Sequence, residues 1–172
     1  MRFAAFVFII LTIFTGSESL QDNDTWARYV PRTLSQVITL HAAKVLDDPD
    51  VLMTFSDGSK AILANDTFPS RVKVIYTGQS RTIPAERKNL IKDWVTKTHG
   101  KAQEYAKLFE KEFLFIEGSN KYWIPVQTQL IKYFERELKN GEEMAILTIW
   151  IGARKKSDKI DWVFLINEFE KE

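Results

Sequence analysis

The sequence predicts an α+β domain: an antiparallel sheet of about six to seven strands, or a small partly open barrel of the OB type, carrying about four helices. Three observations lead there. Short β-branched and aromatic segments recur from residue 51 to residue 169, and four other stretches place apolar residues at helical spacing. After an apolar leader, about 150 residues remain, one domain's length and enough to bury a core without cross-links.

The first helix is predicted over 34–46. Thr33 and Gln36 have the spacing of a capping box, and Leu34, Val37, Ile38, His41 and Val45 form its stripe. Asp47-Asp48-Pro49-Asp50 ends it, because proline disfavours helical geometry in the residue before it. Val51–Phe55 and Lys60–Ala64 then flank Asp57-Gly58, a dipeptide suited to a tight hairpin turn. A third strand is expected from Arg71 to Thr77, alternating Val72, Val74 and Tyr76 with Arg71, Lys73 and Ile75 and closed by Gly78.

Pro84 suits a first helical turn, and Leu90, Ile91, Trp94, Val95 and Thr98 give that helix one apolar stripe up to Gly100. A further helix is expected from Ala102 to residue 111, with Ala102, Tyr105, Ala106 and Phe109 on its face. Phe113–Ile116 and Lys121–Ile124 flank the turn signal Glu117-Gly118-Ser119-Asn120 and read as a second hairpin. Leu130, Ile131, Phe134 and Leu138 stripe a helix over 127–139, which pairs Glu135 with Lys139 on its surface and stops at Asn140-Gly141. Met144–Ile151 and Trp162–Phe169 are nearly continuous apolar runs joined by a polar loop, the pattern of two buried central strands. The order strand, hairpin, helix, hairpin over 71–169 fits an OB-type barrel with the helices of 84–111 inserted.

Residues 1–19 read as a secretory signal peptide. Met1-Arg2 is a short positive start, Phe3–Phe14 is apolar save Thr12, and small residues then place cleavage after Ser17 or Ser19. An apolar core of about a dozen residues falls short of the roughly twenty that a spanning helix needs, and no later run approaches that length. The mature chain, 20–172, is therefore expected as a single exported domain, secreted or periplasmic. The absence of cysteine excludes a lipid anchor through that residue and leans towards a bacterial envelope, since small animal secreted domains often rely on disulfides.

Twenty-four Lys and Arg stand against 23 Asp and Glu, for a net charge of +1. A dedicated nucleic-acid binder needs a strong basic excess, so nucleic acid is not an expected partner. Arg154-Lys155-Lys156, the densest basic cluster, reads as a solvated loop tip. His41 and His99 are too far apart in sequence for a zinc pairing, and Gly-rich phosphate or dinucleotide loops and the Gly-x-Ser-x-Gly elbow are missing. No cofactor, metal site or catalytic residue is expected.

The segment Tyr122-Trp123-Ile124-Pro125-Val126-Gln127 carries the best recognition signal, because large aromatics beside an amide suit a binding surface. Arg81, and Arg87 in the helix that follows, could add an anion contact. Arg81, Tyr122, Trp123 and Gln127 are accordingly the candidate binding residues. The leading expectation is an exported non-catalytic binding module with a protein or peptide partner in the envelope. The alternatives are an envelope-polymer hydrolase using dispersed carboxylates such as Glu117 or Glu168, and a structural envelope protein.

Overall fold

A computed structural model describes residues 27–42, 53–54, 60–100, 104 and 107–171. The leader, the turn of the first hairpin and most of 101–106 lie outside the described residues.

Eight strands form one mixed sheet: β1 (Val30–Pro31), β2 (Met53–Thr54), β3 (Lys60–Leu63), β4 (Ser70–Thr82), β5 (Phe109–Glu117), β6 (Asn120–Gln127), β7 (Glu143–Lys156) and β8 (Lys159–Lys171). Among the described residues three α-helices accompany it: α1 (Leu34–Val37), α2 (Ala85–His99) and α3 (Thr128–Glu137). The chain is thus α+β; most of the further helix expected from Ala102 lies outside the described residues. The strands β4, β5, β6, β8 and β7 follow one another by pairing, and β7 pairs back onto β4. Within this series β6 and β8 meet in parallel at one pair, Val126↔Ile166, so the sheet is not a clear barrel there.

Several boundaries differ from the sequence reading, each for a physical reason. The capping box at Thr33 forms, but after Val37 the backbone widens into a π-turn over Ile38–Ala42; residues 43–46 and the His41 side chain lie outside the described residues. Gly78 does not end β4. It adopts φ +70 inside a register shift between Tyr76 and Ser80, and the strand resumes to Thr82. Such a bulge lets a strand bend without ending. Residues 109–111 belong to β5, because Lys111 pairs with Thr82 on one side and Val126 on the other. Helix α3 stops at Glu137, short of 139, and the ion pair of Glu135 is with Lys111, at 3.8 Å, rather than with Lys139. The loop after residue 151 is also strand: β7 runs through Arg154-Lys155-Lys156, and only Ser157 and Asp158 make the turn.

The alternation of β4 and β5 sorts the core into two clusters. Val72, Val74, Tyr76, Phe113, Phe115, Met144, Ile146, Trp150, Phe164 and Ile166 face one side, where Leu130 and Phe134 of α3, Leu138 just after it, and Leu34 and Val37 of α1 pack. Phe134 is fully buried, its ring 4.5 Å from Phe169, 5.5 Å from Phe113 and 5.9 Å from Tyr76. Burying one such side chain is worth roughly 1.5–3 kcal/mol. Burial and the negative charge of Glu135 push the Tyr76 hydroxyl above its ordinary pKa. On the other face, Leu90, Ile91, Trp94 and Val95 of α2 cover Leu147, Ile149, Ile151, Val163 and Leu165. That stripe is the one the sequence indicates, apart from Thr98, which is exposed.

One glycine is fixed by close approach. At Gly152, where β3 pairs with β7, a Cβ would stand 2.2 Å from the Ile62 carbonyl oxygen. The register of β7 on β8 shifts between Trp150 and Gly152, so the strand bends where it changes neighbour from β4 to β3.

Candidate functional site

Arg81 at the end of β4 lies opposite Glu112 of β5, and Glu112 lies opposite Pro125 of β6. Two residues along, Leu114 opposes Trp123. Strand alternation puts Arg81, Glu112, Leu114 and Trp123 on one face, away from the interior residues Phe113, Phe115 and Ile124. The Arg81 guanidinium carbon sits 4.1 Å from the centroid of the Trp123 ring, which is half-buried. Its Nε donates to Glu112 Oε1 at 2.5 Å.

Glu112 is fully buried, an arrangement a carboxylate tolerates only when it is paired. Its second oxygen accepts from Arg87 Nη1 at 2.7 Å. Arg87, in the first turn of α2, also donates to both carboxylate oxygens of Asp161 on β8 and to the Trp123 carbonyl at 2.6 Å. That last bond has a topological cause. The Leu114 carbonyl faces β4, where Thr77 Oγ1 donates to it, so the opposed Trp123 turns its own carbonyl towards β8. β8 shares only Val126↔Ile166 with β6, and Arg87 satisfies the carbonyl that the ladder leaves over. Burial works against the charge on Arg87, but the hydrogen bonds and charges of Asp161 and Glu112 outweigh it and hold the guanidinium above its ordinary pKa.

The other two candidates lie elsewhere. Tyr122 points to the opposite face of β6, its hydroxyl 3.0 Å from Ser35 Oγ, and burial, with Glu117 nearby, pushes its pKa up. Glu117 receives the backbone N–H groups of Leu34 and Ser35 and the Ser35 hydroxyl, so it caps α1. Gln127 is buried inside a string of side chains. Gln129 Nε2 donates to its carbonyl oxygen at 2.6 Å, it donates to Asn167 Oδ1 at 3.4 Å, and Asn167 donates to the Tyr29 hydroxyl at 2.9 Å. The structure thus brings Arg81 and Trp123 together and places Tyr122 and Gln127 in separate contacts.

Sequence reasoning passed over Glu112 and Asp161, the residues that organise this cluster. The available signal was Glu112 itself, an acid between the buried Phe109 and Phe113, but its partners are 25 and 31 residues earlier in the chain.

Glu117 and Glu168, the carboxylates considered for hydrolysis, have different surroundings. Glu117 spends both oxygens on α1, whereas burial, reinforced by Glu170 and Glu137, pushes Glu168 up to about 6. No group of three or more His, Cys, Asp or Glu suited to a metal occurs among the described residues. No described helix is long and apolar enough to cross a membrane. Comparison with protein-family models, with curated proteins and with solved structures finds no match.

Proposed function

We propose that this chain is an exported, non-catalytic binding module whose binding face is the outer surface of β5 and β6 around Arg81 and Trp123, and whose partner is a protein or peptide of the envelope. The observation that carries the reading is the Arg81–Trp123 stack, partly open to solvent and fixed from beneath by the fully buried Glu112. Tryptophan and arginine are among the residues enriched at interaction hot spots. The series of pairings from β4 through β5, β6, β8 and β7 back to β4, with α3 between β6 and β7, supports the finer reading of an OB-type barrel. Barrels of that type bind along the second and third strands, here β5 and β6, beside the loops that α2 and the β7–β8 turn would supply. Export rests on the charged start and apolar run of residues 1–19.

Co-purification from the native envelope tests the proposal. A partner retained by the native chain and lost with Trp123→Ala supports it, and a partner retained equally by both contradicts it. A second reading, hydrolysis of an envelope polymer, has one observation in its favour: the Glu168 carboxyl held up near 6, where a general acid could work. It requires Glu168→Gln to abolish turnover of envelope polymer.

A further inference from the structure

Resting on that binding face, we propose that its ligand is an acidic peptide segment and that Arg81 reads one of its carboxylates. Arg81 spends only Nε on Glu112; its two Nη groups have no partner among the described residues, and its side chain is 45% exposed. The guanidinium plane is nevertheless fixed, by a 2.5 Å hydrogen bond to a fully buried carboxylate and by the Trp123 ring 4.1 Å away. A guanidinium held in place with both Nη groups free is a ready fork for a carboxylate, which accepts two parallel N–H bonds.

Arg87 makes no such offer, since Glu112, Asp161 and the Trp123 carbonyl engage it and its side chain is 11% exposed. The charges of the cluster select among anions. Arg81 and Arg87 balance Glu112 and Asp161, so a monoanion meets one free guanidinium edge, whereas the second charge of a phosphate would face two fixed carboxylates. The Trp123 indole, half-buried under Arg81, leaves its open part to an apolar side chain next to the ligand's carboxylate. A carboxylate followed by an aromatic or aliphatic group is the chemistry of an acidic peptide.

The test uses the full chain and a rhodamine-labelled hexapeptide alternating glutamate with phenylalanine, followed by fluorescence anisotropy, with the same peptide carrying glutamine for glutamate as its comparison. The glutamine peptide is expected to bind at least about tenfold more weakly. Arg81→Lys, a point charge without the fork, is expected to weaken the glutamate peptide about tenfold and leave the glutamine peptide unchanged. Circular dichroism and the urea midpoint of Arg81→Lys report whether its fold is kept, and Arg81→Gln serves as a second variant. Equal binding of the two peptides, undiminished binding by both Arg81 variants, no binding at all, or preference for a phosphoserine peptide or an oligogalacturonate overturns the proposal. If Trp123→Ala abolishes binding while the Arg81 variants do not change it, the carboxylate reading falls and the binding face stands. If none of these substitutions matters, the face falls as well.

Discussion

Glu112→Gln is the substitution that most sharply tests how the Arg81–Trp123 face is held. Glu112 is fully buried and divides its two oxygens between Arg81 Nε at 2.5 Å and Arg87 Nη1 at 2.7 Å. An amide of the same shape removes the charge and turns an NH2 donor towards a guanidinium. The two arginines respond unequally. Arg81, 45% exposed, can rehydrate and contributes little to the cost, whereas Arg87, 11% exposed, keeps its charge in a buried place with Asp161 alone. Removing one member of a buried pair costs about 3–5 kcal/mol, and with Asp161 still in place the lower end, about 3 kcal/mol, is expected. For a domain stable by roughly 5–15 kcal/mol this is a large fraction.

Urea unfolding followed by far-UV circular dichroism reads that loss. With a slope of about 1–3 kcal/mol per molar, the midpoint should fall by roughly 1–3 M without a change of slope. The double variant Glu112→Leu with Arg87→Met should lose less than the sum of its two single changes, because a buried ion pair exchanged for apolar side chains of similar volume is often neutral. It still forfeits the donor to the Trp123 carbonyl, about 1 kcal/mol. A loss below about 1 kcal/mol for Glu112→Gln, or strict additivity in the double variant, would refute the coupling of Glu112 to Arg87.

Three further outcomes are expected. The Glu168 carboxyl, raised from 4.5 to about 6 in the folded chain, binds protons more readily there than in the unfolded chain. Stability should therefore fall by about 1–2 kcal/mol as pH rises from about 4.5 to about 6, and Glu168→Gln should remove that slope; thermal melts across the range check it. Gly152→Ala would drive a methyl group to 2.2 Å from the Ile62 carbonyl and should cost more than about 3 kcal/mol by detaching β3 from β7, read as lost amide-exchange protection over residues 60–63. Glu117→Gln should weaken the capping of α1 and destabilise the chain by about 1 kcal/mol; an unchanged urea midpoint would show that the cap contributes nothing.

Much of this architecture was legible where local pattern and tertiary packing agree. Val72, Val74 and Tyr76 alternate as a half-buried strand should, Glu117–Asn120 makes the turn its residues favour, and Leu130, Phe134 and Leu138 bury the stripe they form. The misreadings have a common origin in long-range pairing. Phe109 falls at helical spacing from Tyr105, yet Gln127 pairs with it as a strand. Gly78 carries a turn residue's positive φ but lies within a bulge of a longer strand. Nothing local at Gly152 announces that the β3 backbone will approach it so closely.

The site shows the same division. Arg81 and Trp123 stood out singly by chemical type, but their juxtaposition depends on the register of β4 on β5 and of β5 on β6, which places Glu112 between partners distant in the chain. Tyr122 and Gln127 satisfied the same compositional criterion and went to other contacts, because strand alternation turns Tyr122 inward and Asn167 engages Gln127.

Site-specific photo-crosslinking in the native host tests the binding face most directly. Lys121 is exposed and, two residues from Trp123, shares its face of β6, so a photoreactive residue there samples the face without replacing Arg81 or Trp123. We expect a discrete crosslinked partner from position 121 that vanishes when Trp123→Ala is added, and none from the exposed position Lys139 just beyond α3. Crosslinks that are equal at 121 and 139, or that persist with Trp123→Ala, would contradict the account.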